Sequence, residues 1–436
     1  MVIYVVDSFQ AILDNYERCL PEDTLVYMES GRVIPIEKIS VGDRLLDGSI
    51  VTGVFKRYYE GEMIHIKPRY LEDIYITPDH PILIAYIKGK IFRKRKLIGT
   101  RWIYAGDVNK YDYVVIPKYM VEKDTYVSFE PYIKKWERKV KVPREMMVNE
   151  EFAELLGWYL AEGISTSKFI EFSLSKEENE NINRIVDIVR SLFGYKHKIV
   201  NGNRGNSIFL RFDCNILPRA FKDWIGDNAK SKSVPPFIFD ARKSIVESFL
   251  EGYIKGDGWR TERCGYKEVG IATVSRILAR QIQLLLMKLG IMSRFRRERN
   301  DDRVLNDGYV IKGGPIYTLR WPETRLSKRY FEDDMFYYVQ IDGKEVVKYS
   351  GYVYNLETTS GRYYIPFTVH NCRYGTYQLQ EIEGGKIILK VRVGSLGYEK
   401  TFNSKDDEDL KEKLEILKSR GFYKVIKAVP EDAFFG

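Results

Sequence analysis

Two cysteines and the residues beside them could rearrange peptide bonds in this chain. Cys19 lies near one end of the 436-residue sequence, and the triplet His370-Asn371-Cys372 lies near the other. A thiol can accept an acyl group, an imidazole can polarise a carbonyl group, and an asparagine carboxamide can cyclise onto its own carbonyl carbon. The chain could therefore cut and rejoin itself. The triplet could also be an exposed turn beside a buried thiol, so the surrounding elements must decide.

Length and composition limit the class of protein. A chain of 436 residues predicts about three domains. No run of about 18 apolar residues predicts a membrane span, and residues 1–7 lack the pattern of a secretion signal, which favours the cytoplasm. Four cysteines do not indicate a disulfide framework in so long a chain. A reducing compartment would keep Cys19 and Cys372 nucleophilic.

The positive charge lies between the two cysteines. Residues 1–18 carry a net charge of −2 and residues 372–436 carry +1, whereas residues 19–371 carry +10. This excess predicts contact with a polyanion such as nucleic acid, with a diffusely solvated surface as the alternative.

Hydrophobic patterning divides the chain between these cysteines into three segments. From residue 19 to about 117, short apolar runs broken by frequent turns predict an all-β unit. From about 150 to 329, helical patterns alternate with strand pairs, and their order occurs twice. β patterning resumes after residue 330. We interpret this as a β-domain interrupted by an α/β insertion, whose two β segments would bring Cys19 and Cys372 together.

A further pair of reactive side chains lies in Ile76-Thr-Pro-Asp-His-Pro81. A hydroxyl and an imidazole three residues apart in a turn can both reach one peptide bond. His80 would protonate the departing nitrogen and Thr77 would orient the carbonyl. Asp and Pro are common in turns, so a turn without chemistry is the alternative.

Five ordered motifs make the chain resemble an intein precursor, in which a Hint-type splicing domain is split around a homing endonuclease. The motifs are Cys19-Leu-Pro-Glu-Asp-Thr24 with Ile39-Ser-Val-Gly-Asp43, Thr77-Pro-Asp-His80, Trp102 to Pro117 with Gly106-Asp107, Val353-Tyr-Asn-Leu-Glu357, and His370-Asn371-Cys372. The resemblance covers residues 19–371.

This resemblance implies a multidomain fold with a horseshoe-like all-β Hint domain, an inserted α/β endonuclease and small α+β host flanks. The implied segments are a flank at 1–18, splicing segments at 19–130 and 331–371, an endonuclease at 131–330 and a flank at 372–436. In the flanks, patterning predicts strands at 2–6 and 386–393 and a helix near 405–420. No motif in them indicates the function of the host protein.

The resemblance also implies an order of reactions. Cys19 would move the acyl group of Arg18 onto its sulfur, and Cys372 would attack the resulting thioester. Asn371 would then cyclise and release the excised element, and an S-to-N shift would join Arg18 to Cys372 through an amide.

Assisting residues follow from the same resemblance. His80 and Thr77 would activate the first bond, and His370 would polarise the carbonyl of Asn371. Many relatives carry Asp at the place of Asn355. Because an amide cannot take up a proton or hold a charge, that carboxylate role is not carried over, and Asn355 is not among the predicted site residues.

Two segments of the insertion align position by position. They are Leu155-Leu-Gly-Trp-Tyr-Leu-Ala-Glu-Gly163 and Leu250-Glu-Gly-Tyr-Ile-Lys-Gly-Asp-Gly258. On helices, Gly157 and Gly252 each share a face with a small residue four positions later, which lets two backbones approach closely.

An acid precedes the last glycine of each segment. Glu162 and Asp257 would meet at the ends of the paired helices and could hold Mg²⁺, since hard oxygen ligands suit that ion. The segments resemble LAGLIDADG motifs, which implies a pseudo-symmetric monomer acting on double-stranded DNA. Two ordinary helix contacts with capping acids are the alternative. Lys232 would assist the scissile phosphate or be a solvated linker lysine.

Basic strands would then contact DNA. Phosphate neutralisation would supply most affinity, and side chains on strands would read the major groove. Arg294 and Arg296 share one face of a strand and Phe295 the other, and Arg211 could serve similarly. The basic run at 88–96 is interpreted as an exposed hairpin rather than a DNA contact.

The sequence therefore predicts a self-splicing enzyme that carries a DNA endonuclease. One alternative is a splicing element whose insertion binds DNA but no longer cleaves it. Another is a non-catalytic DNA-binding protein with fortuitous cysteines.

Overall fold

A computed structural model describes most of the chain between residues 18 and 403. The described residues are 18–88, 96–137, 140–202, 206–263, 265–299, 303–304, 310–311, 313–323, 330–370, 376–382, 386–393 and 396–403. Asn371 and Cys372 lie outside them, as do the strand and helix predicted at 2–6 and 405–420. The predicted strand at 386–393 is present.

The described α-helices all lie in the middle of the chain. They are α1 (Glu150–Glu162), α2 (Asn179–Phe193), α3 (Ile216–Trp224), α4 (Pro236–Asp240), α5 (Lys243–Asp257) and α6 (Arg276–Lys288). None of these is both long enough and apolar enough to cross a membrane.

Strands precede, separate and follow these helices. Before α1 come β1 (Leu20–Pro21), β2 (Leu25–Tyr27), β3 (Val33–Pro35), β4 (Val51–Pro68), β5 (Ile74–Ile76), β6 (Pro81–Lys88), β7 (Lys96–Tyr104), β8 (Tyr113–Pro117), β9 (Tyr126–Ser128) and β10 (Glu145–Met147). After α1 come β11 (Gly163–Ser165), β12 (Phe169–Ser175), β13 (His197–Asn201), β14 (Ser207–Asp213), β15 (Gly258–Arg263), β16 (Tyr266–Thr273), β17 (Arg294–Arg299), β18 (Arg303–Val304), β19 (Val310–Ile311) and β20 (Pro315–Pro322). The last are β21 (Phe331–Glu332), β22 (Phe336–Thr358), β23 (Arg362–Tyr364), β24 (Thr368–His370), β25 (Thr376–Ile382), β26 (Lys386–Val393) and β27 (Leu396–Asn403).

One ten-stranded sheet contains strands from both sides of the helical segment, and we call it the β-domain. Its main path runs β23-β24-β6-β8-β22-β4-β5, with β1 and β21 also paired to β22 and β7 to β6. β22 pairs with β4 along most of its length. Because β1 pairs with β22 and β24 with β6, the sheet brings the chain near residue 19 and the chain near residue 370 into one structure.

The α/β insertion consists of two units with the same architecture. Each begins with a helix, α1 or α5, and each contains a four-stranded antiparallel sheet. The strand orders are β11-β12-β14-β13 and β15-β16-β20-β17. In both sheets the last of the four strands along the chain lies between the second and the third. This repeated order matches the two-fold repetition in the sequence.

Side-chain caps explain where α1 and α6 begin. The Asn149 side chain accepts a hydrogen bond from the Phe152 N–H at 2.9 Å, and two glutamates occupy the first turn of α1. The Ser275 hydroxyl accepts from the Leu278 N–H at 3.2 Å at the start of α6. Such caps satisfy amide groups that the helix leaves without a partner.

α6 lies between the insertion and the β-domain. Its residues from Leu278 to Lys288 are all buried. The Gln283 side chain donates to the Tyr70 carbonyl oxygen at 2.9 Å, and Arg276 donates to the Glu72 carboxylate at 2.6 Å. The insertion and the β-domain therefore share a packed interior.

The basic run at 88–96 connects two antiparallel strands. Lys88 at the end of β6 pairs with Lys96 at the start of β7, as a hairpin requires. Residues 89–95 lie outside the described residues.

Candidate functional sites

The peptide bond between Arg18 and Cys19 is contacted through its nitrogen by Thr77. The Cys19 N–H donates to the Thr77 hydroxyl oxygen at 2.8 Å, and that hydroxyl donates to the Cys19 carbonyl oxygen at 3.2 Å. Pairing of Leu20 with Tyr354 of β22 sets the position of Cys19. The Thr77 hydroxyl thus contacts the nitrogen that would depart, and its role on the Arg18 carbonyl stays a prediction.

The Arg18 carbonyl oxygen accepts a hydrogen bond from the side-chain amide of Asn355. Asn355 is fully buried. Its own side-chain oxygen accepts from the Leu356 N–H at 2.8 Å and from the Tyr363 hydroxyl at 3.0 Å. Sequence reasoning left Asn355 out of the site, but the structure places it on the bond that would break.

His80 is fully buried, and both Arg18 and His370 act on its pKa. Burial lowers the pKa of His80 to about 3, and Arg18 and His370 act in the same direction. Backbone groups of those two residues oppose the shift, although neither ring nitrogen makes a well-formed hydrogen bond to any described residue. The imidazole is therefore neutral near pH 7, with one nitrogen able to donate and the other able to accept.

The turn that carries His80 is braced by the 3-10 helix Ala105–Asp107. The first N–H of this helix donates to the His80 carbonyl oxygen at 2.9 Å, and the Gly106 N–H donates to the Pro78 carbonyl oxygen at 2.6 Å. A Cβ on Gly106 would stand 3.2 Å from the same Pro78 oxygen. The Gly106-Asp107 motif therefore positions the turn.

A cavity of about 550 Å³ is lined by both Arg18 and His370. Trp102 meets the His370 ring edge to face at 5.0 Å between centroids, and the Arg18 guanidinium lies over the Tyr104 ring at 5.4 Å. His370 ends β24, and the next two residues lie outside the described part of the chain. The structure thus places His370 near the first predicted reaction site.

The helices α1 and α5 approach each other through their glycines. A Cβ on Gly157 would stand 2.0 Å from the Phe249 carbonyl oxygen, and one on Gly252 would stand 2.2 Å from the Glu154 carbonyl oxygen. No side chain fits at such distances. The pairing places the carboxyl ends of the two helices side by side.

Two acids lie at those ends. Burial raises the pKa of Glu162 to about 7, and the charge of Asp257 adds to the increase. Burial also raises the pKa of Asp257, which Lys232 partly offsets. Two neighbouring carboxylates at the helix ends form a donor set that suits a hard divalent cation. Among the described residues, no cluster of three or more metal-binding side chains occurs, so other ligands would have to complete such a site.

Lys232 holds the end of α1. Its ammonium group donates to the carbonyl oxygens of Tyr159 at 3.0 Å and Gly163 at 2.9 Å. Lys232 is 8% exposed, so the alternative of a solvated linker lysine is wrong. Burial lowers the pKa of Lys232 to about 8, although the two nearby carboxylates act to raise it. These contacts fix the backbone that carries Glu162.

In the basic strand β17, Phe295 is packed and the other residues are exposed. Arg294 and Arg296 are exposed, whereas Phe295 is 6% exposed and contributes to the core. Arg211 differs, because its guanidinium donates to the Glu171 carboxylate at 2.8 Å within its own sheet. The structure therefore leaves Arg294 and Arg296 more accessible to a ligand than Arg211.

A family model described as a LAGLIDADG-like domain matches residues 244–333. This segment includes α5 with Asp257 and the second four-stranded sheet. The chain therefore contains a LAGLIDADG-like domain within a multidomain, β-rich structure.

The chain is also similar to proteins with differing names. An uncharacterized protein of Methanocaldococcus jannaschii is 28% identical over 81% of this chain and 50% of its own length. An iron-sulfur cluster assembly SufBD family protein of Mycobacterium tuberculosis is 25% identical over 86% of this chain and 45% of its own length. The ATP-dependent DNA helicase Hel308 of Thermococcus kodakarensis is 27% identical over 81% and 36%. The chain spans half or less of each relative.

Two solved structures are similar to part of this chain at low TM-scores. The homing endonuclease I-DmoI in complex with DNA and Ca is 15% identical, with a TM-score of 0.29 over 40% of this chain and 83% of that one. Full-length DUF199/WhiA from Thermatoga maritima is 17% identical, with a TM-score of 0.28 over 40% and 51%.

Proposed function

We propose that the chain is an intein precursor that excises residues 19–371 and joins residues 1–18 to residues 372–436. In this proposal the splicing domain comprises residues 19–130 and 331–371, and the endonuclease comprises residues 131–330. The observation that carries the proposal is the hydrogen bonding of the Arg18–Cys19 bond, whose nitrogen meets Thr77 and whose carbonyl oxygen meets Asn355.

The proposed first step is an N-to-S acyl shift. The Cys19 sulfur attacks the Arg18 carbonyl carbon, and the amide becomes a thioester. Thr77 holds the nitrogen that departs, and the neutral His80 exchanges a proton with the reacting groups. The low pKa of His80, which keeps the ring neutral, supports this role.

The later steps involve the downstream junction. Cys372 attacks the thioester and takes over the upstream segment. Asn371 cyclises onto its own carbonyl carbon, with His370 polarising that carbonyl, and an S-to-N shift completes the new peptide bond. The shared cavity beside Arg18 and His370 supports a short path between the junctions.

The relatives support a mobile element rather than a host enzyme. A cluster-assembly protein and a helicase have unrelated names, yet each is similar to more than four fifths of this chain. A segment that accompanies unrelated proteins is expected to have an activity of its own.

Expression of the full chain under reducing conditions tests splicing. The 51.2 kDa precursor should convert into an excised product and a joined product, and mass spectrometry should identify the new Arg18–Cys372 bond. Cys19→Ala and Asn371→Ala should each prevent joining, whereas Cys214→Ala, at another buried cysteine, should not. A full-length chain that stays intact even on heating would contradict the proposal.

We further propose that the insertion cleaves double-stranded DNA as a pseudo-symmetric monomer. Glu162 and Asp257 would hold Mg²⁺, with phosphate and water completing its ligands. The bound ion would stabilise the developing charge on the scissile phosphate. Lys232 holds the end of α1 in place, and Arg294 and Arg296 offer charge for the DNA backbone. The net charge of +10 on residues 19–371 supports this partner.

Cleavage is tested on a plasmid that encodes the two flanks without the intervening segment. Purified protein with Mg²⁺ should cut this plasmid near the junction, and should leave a plasmid containing the full gene intact. Chelation should stop cleavage. Binding without any cut would contradict cleavage and favour the alternative of a DNA-binding insertion.

A further inference from the structure

We propose that Asn355 stabilises the oxyanion formed on Arg18 in the first step, and that Tyr363 is the positioning residue that aims the Asn355 amide. This inference rests on the proposed splicing function and adds two residues to it. It follows from contacts around the Arg18 carbonyl, with no transfer of a role from proteins that carry Asp at this place.

The orientation of the Asn355 amide is fixed by its acceptor side. Its oxygen accepts from the Leu356 N–H at 2.8 Å and from the Tyr363 hydroxyl at 3.0 Å. Because the oxygen faces those donors, the NH₂ group faces the Arg18 carbonyl oxygen, to which it donates. A reversed amide would bring its NH₂ group against the Leu356 N–H, which is itself a donor, and its oxygen against the Arg18 carbonyl oxygen.

Burial makes this donor effective. Asn355 and Tyr363 are both fully buried, so water does not compete for the hydrogen bond. A donor aimed in advance at an oxygen that becomes negatively charged stabilises the transition state more than the ground state.

The reaction balances without a co-reactant. A bond forms between the Cys19 sulfur and the Arg18 carbonyl carbon, and the π electrons of the carbonyl move onto oxygen, where Asn355 donates. The oxyanion then re-forms the carbonyl as the carbon–nitrogen bond breaks. The thiol proton ends on the released Cys19 amine, so the step is an isomerisation.

Tyr363 also links this donor to the neighbouring catalytic group. Its ring meets the His80 ring edge to face, with centroids 6.3 Å apart. One buried tyrosine therefore sets the position of the carbonyl donor through its hydroxyl and contacts His80 through its ring.

The first step can be isolated in full-length protein carrying Cys372→Ala and Asn371→Ala. Excess dithiothreitol traps the thioester, and the rate of cleavage between Arg18 and Cys19 then reports the acyl shift. In this background, Asn355→Leu keeps the approximate size of the side chain but removes the donor. We expect cleavage about a hundredfold slower at neutral pH.

Tyr363→Phe and Tyr364→Phe form a matched pair. Both tyrosines are buried, but the Tyr364 hydroxyl contacts Asp47 at 3.1 Å instead of Asn355. Tyr363→Phe should slow cleavage by about tenfold, and Tyr364→Phe should leave the rate unchanged. When Asn355 is already Ala, Tyr363→Phe should slow cleavage no further, because a positioning residue acts only through the group that it positions.

The outcomes separate this inference from the splicing proposal. Absence of thiol-dependent cleavage in the parent would overturn splicing itself. A parent that cleaves, together with an Asn355→Leu variant that cleaves equally fast, would overturn only the role of Asn355. An undiminished effect of Tyr363→Phe in the Asn355→Ala background would overturn its positioning role.

Discussion

The Phe249 carbonyl oxygen occupies the place where a side chain on Gly157 would begin. A Cβ at residue 157 would stand 2.0 Å from this oxygen, so the two central helices of the insertion meet backbone to backbone. Glycine is required there by distance, and the two acids at the helix ends depend on the same contact for their proximity.

Gly157→Ala should separate α1 from α5. Overpacking against a fixed backbone atom should lower the free energy of unfolding by about 3 kcal/mol, and DNA cleavage should be lost. Denaturant titration measures the first effect and the plasmid assay the second. Gly99→Ala is the control, because a Cβ there has no described atom within 4 Å. Equal stability of the two variants would contradict the close approach.

Thr77→Val should slow the acyl shift while leaving the fold intact. The substitution keeps the shape of the side chain but removes the hydroxyl that accepts from the Cys19 N–H at 2.8 Å. Loss of one such hydrogen bond corresponds to about a tenfold slower thiol-dependent cleavage. Thr318→Val, at a buried threonine of β20, should have no effect on this rate. A Thr77→Val variant as fast as the parent would show that the contact is not used.

His80 should make the precursor less stable in mild acid. Its pKa is about 3 in the folded chain and 6.5 ordinarily, so the unfolded state takes up a proton first as the pH falls. Stability from the neutral ring is present above pH 6.5 and is lost below it, by up to about 2 kcal/mol between pH 6.5 and 5.

Unfolding free energies at several pH values test this effect in a Cys19→Ala, Asn371→Ala background that keeps the precursor intact. When His80→Asn is added, the free energy of unfolding lost between pH 6.5 and 5 should be smaller by up to about 2 kcal/mol. If the free energy of unfolding changed equally with pH with His80 and with His80→Asn, the burial of a neutral imidazole at residue 80 would be contradicted.

Glu162→Gln should stabilise the metal-free protein and abolish DNA cleavage. Burial and Asp257 both disfavour the Glu162 carboxylate, as its raised pKa shows, so an uncharged amide should raise the unfolding midpoint by about 2–4 °C at pH 8. Mg²⁺ should stabilise the parent but not the variant, which calorimetry measures. Glu180→Gln, at an exposed acid of α2, should keep both the metal response and cleavage. Stabilisation of Glu162→Gln by Mg²⁺ would remove Glu162 from the metal site.

Periodic patterns predicted the elements well where one face is polar. The repeated helix and strand order, the small residues at helix contacts and the alternation around Phe295 all follow from spacing that one chain displays. α6 shows the limit of such reasoning. Its pattern is amphipathic, yet Arg280, Gln281 and Gln283 are buried as fully as its leucines. The reason is that the β-domain covers the face that the spacing predicts to be exposed to water.

The residues of the candidate site were predictable by type, and their contacts were not. An amide cannot replace a carboxylate in proton transfer, so residue type alone assigns Asn355 no role, but its position allows it to donate to the Arg18 carbonyl oxygen. Tyr363 offered no signal beyond its place in a β segment. The contact between Asn355 and Arg18 joins residues more than 300 positions apart, and the role of Tyr363 depends on that contact. Spacing along the sequence does not show which distant residues lie close together.

The shared interior around α6 bears on how such an insertion could disappear in evolution. Deleting the whole α/β segment would expose the Tyr70 carbonyl and the Glu72 carboxylate, which α6 now satisfies. A shortened descendant would need new polar partners there to keep the β-domain folded. Substituting Glu162 or Asp257 would leave this packing intact, so the packing would favour keeping the segment even after the proposed DNA cleavage had been lost.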